Sequence, residues 1–158
     1  MNLKKISLLL FLAAAFTFMS CSTEDTETTE VALRTKVYTL DSADNAAISG
    51  TATFTEKEDG TTTILLSLTN SNNDIHPAFI YLDDVSSTGA VAITLAPIEC
   101  NCEESTTEVS MLDNGTPITF SELLFFDGNI RVHQSASDLE TVIAEGNVGI
   151  NAINEEAK

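Results

Sequence analysis

From Ile48 onward, apolar and polar residues change places at every step: Ile48, Gly50, Ala52 and Phe54 alternate with Ser49, Thr51, Thr53 and Thr55. An extended backbone sends successive side chains to opposite faces, so this period of two predicts a half-buried strand. Asp59-Gly60 follows and predicts a tight turn, since glycine tolerates the positive φ that such a turn requires. Ile64, Leu66 and Leu68 then alternate again, which makes the whole stretch a hairpin. The polar run Asn70 to Asp74 predicts a loop. Short strands are expected at Ala78 to Leu82, at Ala90 to Leu95 with Pro97 as the stop, and at Thr106 to Leu112 before the turn Asp113-Asn114-Gly115. Thr119 and Glu122 stand at capping-box spacing, which predicts about one helical turn over Ser121 to Phe126. After Asp127-Gly128, strands are expected at Ile130 to Gln134, at Thr141 to Ala144 and near Asn147 to Ile150. Short strands separated by turns predict an all-β domain, a Greek-key β-sandwich or barrel with one or two short helical turns. Its expected bounds are residues 33–152, with 153–158 as a flexible tail. A chain of this size buries roughly two-thirds of its unfolded surface, enough for one core.

The first residues follow a different pattern. Lys4 and Lys5 lie beside the amino terminus, and Ile6 to Met19 is apolar except for Ser7 and Thr17. That run is short of the about 20 apolar residues a membrane span needs, and it reads as a secretory signal, residues 1–20. Phe18-Met19-Ser20-Cys21 resembles the lipobox of bacterial lipoproteins, in which the cysteine after the cut carries a covalent lipid, palmitate among its acyl chains. Residues 21–32 then form an acidic, polar segment with no large apolar residue before Val31, expected to be a flexible tether. Acids directly behind a lipidated Cys21 resemble the surface-export signal of Bacteroidota lipoproteins. This implies an outer-membrane protein on the cell surface, with the periplasmic face as the alternative.

Charge removes one class of partner. Without residues 1–20 the chain loses two of its seven cations and none of its 24 acids, which leaves a net charge of −19. Such a field repels nucleic acid and anionic headgroups, and no basic patch offers phosphate contacts. Expected partners are the membrane, through the lipid, and a protein or glycan.

A family resemblance rests on segments in order: Gly50 to Phe54, Asp59-Gly60-Thr61, His76 to Tyr81, Gly115 to Thr119, Asp127 to His133 and Ala144 to Gly149. These look like the CHRD (chordin-type) domain found in bacterial lipoproteins, which implies an Ig-like or superoxide dismutase-like β fold. Val132-His133 followed by Ser137-Asp138-Leu139 is similar to the copper–zinc dismutase segment around a copper-binding histidine. His76 to Tyr81 is similar to the dismutase strand whose two alternating histidines bind copper, yet those positions hold Phe79 and Tyr81. A copper or zinc centre needs about three or four converging donors. The chain has only two histidines, His76 and His133, so dismutation fails on ligand count.

The remaining candidates are weighed residue by residue. His133 shares a strand face with Arg131, opposite Ile130 and Val132, and is expected to point outward as a surface side chain. With His76 it is the candidate for a weak metal site. Phe79 and Tyr81 share one strand face and form a candidate exposed binding surface. Cys100 and Cys102, in an oxidising compartment, are a disulfide or thiol pair. A bridge across one residue is strained, and the alternatives are a soft metal held by two thiolates or bonds to another chain. Asp83-Asp84 and Glu103-Glu104 lack the spacing of a calcium loop and are expected to be solvated. Asp41-Ser42-Ala43 resembles the Bacteroidota O-glycosylation tripeptide. The expected function is a lipid-anchored, surface-exposed, non-catalytic binding domain of the envelope, with no cofactor beyond the lipid. The alternative is a copper- or zinc-binding or redox envelope protein with a degenerate dismutase-like site.

Overall fold

The alternation between Ile48 and Leu68 becomes the hairpin of β2 (Ser49–Glu56) and β3 (Thr62–Thr69), closed by a turn in which Gly60 has φ +85°. Ala52, Phe54, Ile64, Leu66 and Leu68 are buried, and Thr53, Thr63, Leu65 and Ser67 alternate with them on the outer face. This computed structural model describes residues 33–43, 47–71, 74–87, 89–99 and 103–156. The signal, Cys21, the tether and the pair Cys100 and Cys102 lie outside the described residues.

Six further strands complete the sheet: β1 (Thr35–Ser42), β4 (His76–Leu82), β5 (Val91–Ile98), β6 (Glu104–Val109), β7 (Asp127–Ser135) and β8 (Asp138–Gly149). All pairings are antiparallel, in the spatial order β5-β4-β7-β8-β1-β2-β3-β6. The two outer members, β5 and β6, approach each other, so the sheet is a nearly closed barrel. Strands β4 to β7 then lie as β6-β5-β4-β7, a Greek key whose fourth strand returns beside the first. An eight-stranded barrel is just wide enough to be filled by its own side chains. Leu40, Phe54, Ile64, Ile80, Ile130 and Ile143 fill this one.

Two helices lie at the end where β1 begins. In α1 (Phe120–Leu123) the capping box forms as its spacing predicts: the Glu122 N–H donates to the Thr119 hydroxyl, and the Thr119 N–H to the Glu122 carboxylate. Arg34 ties this end together. Its guanidinium grips Glu56 with two nitrogens, reaches the Ser121 hydroxyl, and lies 5.0 Å from the centre of the Phe120 ring. The second helix, α2 (Ile150–Glu156), occupies most of the stretch expected as a tail and crosses the expected boundary at residue 152.

Two strand expectations are corrected, and one strand is added. Pro97 does not stop β5 but sits inside it; this is an edge strand, where a missing N–H leaves no ladder bond broken. The two strands expected at 141–144 and 147–150 are one, because Gly146 continues the ladder opposite Ile130. Strand β1, for which no separate expectation was formed, packs Tyr38 and Leu40 into the core.

Candidate functional site

The outer face of β4, β7 and β8 carries most of the candidate chemistry. Register places Phe79 beside Arg131 and Arg131 beside Glu145, with Tyr81 and His133 on the same face. The three rings of Phe79, Tyr81 and His133 meet edge-on, with centroids 5.7 to 6.0 Å apart. The Tyr81 hydroxyl and His133 Nε2 are 2.9 Å apart. Arg131 lies 5.8 Å from the Tyr81 ring centre and pairs with Glu145 at 3.2 Å.

His133 therefore lies on the expected face, but not as a surface residue. It is 3% exposed, because a bulge after Val132 and the neighbouring rings cover it. Phe79 and Tyr81 are half-buried rather than fully presented. Burial holds the His133 pKa below the ordinary imidazole value; the Leu139 backbone opposes this, Arg131 adds to it, and Asp138 opposes it. Burial also raises the Tyr81 phenol, with Arg131 opposing. A neutral imidazole shares this hydrogen bond with the phenol, accepting at Nε2 in the Nδ1–H tautomer and donating from Nε2 in the other.

His76 is enclosed completely, on the inward row of β4 with Ala78 and Ile80. Its Nδ1 lies 3.2 Å from the His133 carbonyl and 2.9 Å from the Gln134 carbonyl. Carbonyls only accept, so Nδ1 carries the hydrogen and the ring staples the start of β4 to the end of β7. The two histidines thus come together ring-to-backbone, on opposite faces of the sheet. Among the described residues, no three His, Cys, Asp or Glu side chains converge as a metal would require.

Sequence reasoning missed a strap. After β4 the chain turns at Asp83, whose φ of +66° is a left-handed conformation open to a short polar residue. The following loop then lies across β7 and β8. Asn129 donates to the Asp83 carbonyl, Arg131 to the Val85 carbonyl, and Asn147 accepts from the Val85 N–H, at 2.7 to 2.9 Å. Asn129 and Asn147 face each other across the two strands and are both buried. The available signal was asparagine in the middle of two strands, a residue that strands disfavour without a specific partner.

A cavity of about 260 Å³ opens beside the strap, between Val37 and Thr39 of β1 and Gly146 and Asn147 of β8. The exposed candidates Asp41 and Ser42 lie at its closed end. No family model, curated protein or solved structure matches the chain.

Proposed function

We propose that this chain is a lipid-anchored outer-membrane lipoprotein, displayed on the cell surface, whose barrel is a non-catalytic binding module. The observation that carries the reading is the order of segments at the amino terminus. A basic and apolar stretch ends on Ser20-Cys21, an acidic polar stretch follows, and among the described residues the first strand begins at Thr35.

Two features of the barrel support binding over chemistry. One nitrogen of each histidine is engaged in packing: His76 Nδ1 in a carbonyl staple and His133 Nε2 with the Tyr81 hydroxyl. The outer face of β1, β2 and β3 presents rows of threonine and serine, such as Thr39, Thr51 and Ser67, a hydrogen-bonding surface suited to a protein or glycan. Membership of the CHRD-type lipoproteins is part of the proposal and is supported by the Greek-key arrangement of antiparallel strands.

Metabolic labelling of the full chain with palmitate tests the anchor. The natural sequence is expected to take up label and sediment with membranes, and Cys21→Ala to do neither. Label retained by Cys21→Ala would overturn the assignment. Protease added to intact cells should digest the barrel, whereas protection would place it on the periplasmic face.

A further inference from the structure

Antiparallel pairing gives the barrel two ends of different character. Strands β1, β3, β5 and β7 begin at the end that carries α1 and α2, and β2, β4, β6 and β8 finish there. Among the described residues nine large apolar side chains are exposed, and six of them stand at this end: Leu33, Leu82, Val91, Met111, Phe125 and Ile153. The opposite end exposes two, Ile75 and Leu139. Single exposed apolar residues are ordinary on any protein, whereas a gathering of them marks a surface that something covers.

Local bonds hold these residues on one rim. Arg34 reaches the Ser121 hydroxyl, which sets Leu33 beside α1. The Ile150 N–H donates to the Phe126 carbonyl, so α2 starts next to Phe125 and Phe126. Leu82 pairs with Gly128 and Tyr81 with Val91, and the Asp113 N–H donates to the Ala92 carbonyl, which brings the Met111 turn alongside. Phe125 protrudes furthest, at 69% exposed. The chain from Cys21 joins the barrel at this same end. Eleven residues separate Cys21 from Leu33, and a chain of that length reaches at most about 40 Å.

We propose that this end of the barrel rests on the lipid surface that holds Cys21, with Phe125 and the apolar rim seated among zwitterionic headgroups. Aromatic and aliphatic side chains on a polar body enter the boundary between headgroups and acyl chains, where burial of their apolar area adds to a covalent lipid. The exposed acids Glu122 and Asp127 on the same rim set the headgroup, because they repel an anionic bilayer. Two other occupants are disfavoured. The chain's own segment Ser22 to Glu30 has no large apolar residue to lay against the rim, and a second copy brings a net charge of −19. The inference deepens the lipid-anchored reading and rests on it.

The chain has no tryptophan, so Phe125→Trp and, separately, Ile75→Trp each place a single fluorophore, one at either end. Both positions are exposed, and the fold tolerates a larger ring at each. The full chains are labelled with palmitate and reconstituted into phosphatidylcholine vesicles, with and without brominated acyl chains. For Phe125→Trp, emission is expected to move to shorter wavelength and to fall about twofold or more with brominated lipid, as for a ring at the headgroup–acyl boundary. Ile75→Trp is expected to keep water-like emission in both. Phosphatidylglycerol at low salt should reduce the quenching at Phe125→Trp. Quenching absent at Phe125→Trp, equal at the two ends, or no weaker in phosphatidylglycerol would each overturn the proposal. A shift to shorter wavelength without quenching would assign the rim to a second copy and overturn it as well. Palmitate uptake is read first: uptake without quenching removes the resting surface alone, and no uptake removes the anchor on which it depends.

Discussion

His133 illustrates how one side chain can sit on the expected face and still behave unexpectedly. Its imidazole is neutral in the fold because burial disfavours the cation, with Arg131 on the same strand adding to the effect. The groups facing it are the Tyr81 phenol from β4, Arg131 from β7, and Asp138 and the Leu139 backbone from β8. The unfolded chain takes up this proton near the ordinary value of about 6.5, and the folded chain only at lower pH. Between those two values the unfolded state binds more protons, so this contribution is fully present above about pH 6.5 and is lost as pH falls. Urea unfolding at stepwise pH should therefore show stability declining below about pH 6.5, before carboxylates such as Glu56 and Asp138 begin to titrate. His133→Phe keeps the ring packing and should flatten that limb. An unchanged slope in the variant would assign it to another group. Strand parity gave the direction of His133 correctly. Parity says nothing of what lies above a face, and here Phe79, Tyr81 and a bulge in β7 bury it.

Among the elements, the junction between β5 and β6 bears on whether the barrel stays shut. An exposed pair of strand edges is a template for unwanted pairing. Thr107 and Asp113 blunt it by occupying the N–H groups of Ala96 and Thr94. Thr107→Val keeps the shape and removes the acceptor, leaving a half-buried N–H unmet. The expected cost is about 1 kcal/mol in urea unfolding, with faster amide exchange at Ala96. Exchange unchanged at Ala96 would mean that water already serves that group. Elements built from neighbours in sequence were legible before any coordinates: the hairpin around Asp59-Gly60 and the Thr119–Glu122 box both form. Elements fixed by distant partners were not. The strap depends on Asn129, Arg131 and Asn147, each more than forty residues from the backbone it holds. Helix α2 follows Gly149 at φ +59°, where the Phe126 backbone approaches too closely for any side chain.

At the scale of the whole molecule, charge imbalance sets the response to solution conditions. Residues 21–158 carry five cations for 24 acids. Among the described residues Arg34 pairs with Glu56, Lys57 with Glu108 and Arg131 with Glu145, and Lys36 lies over the Tyr38 ring. The first two pairs are well exposed, and pairs of that kind contribute little. Most acids therefore face others of the same sign, and folding brings them closer together. Self-repulsion of this kind opposes the compact state and is screened by salt. The screening length is about 10 Å at 0.1 M and about 3 Å at 1 M, shorter than most distances between surface carboxylates in the second case. The thermal midpoint should accordingly rise as sodium chloride increases from 0.01 M to 1 M at neutral pH. A falling midpoint would mean that the few ion pairs outweigh the repulsion.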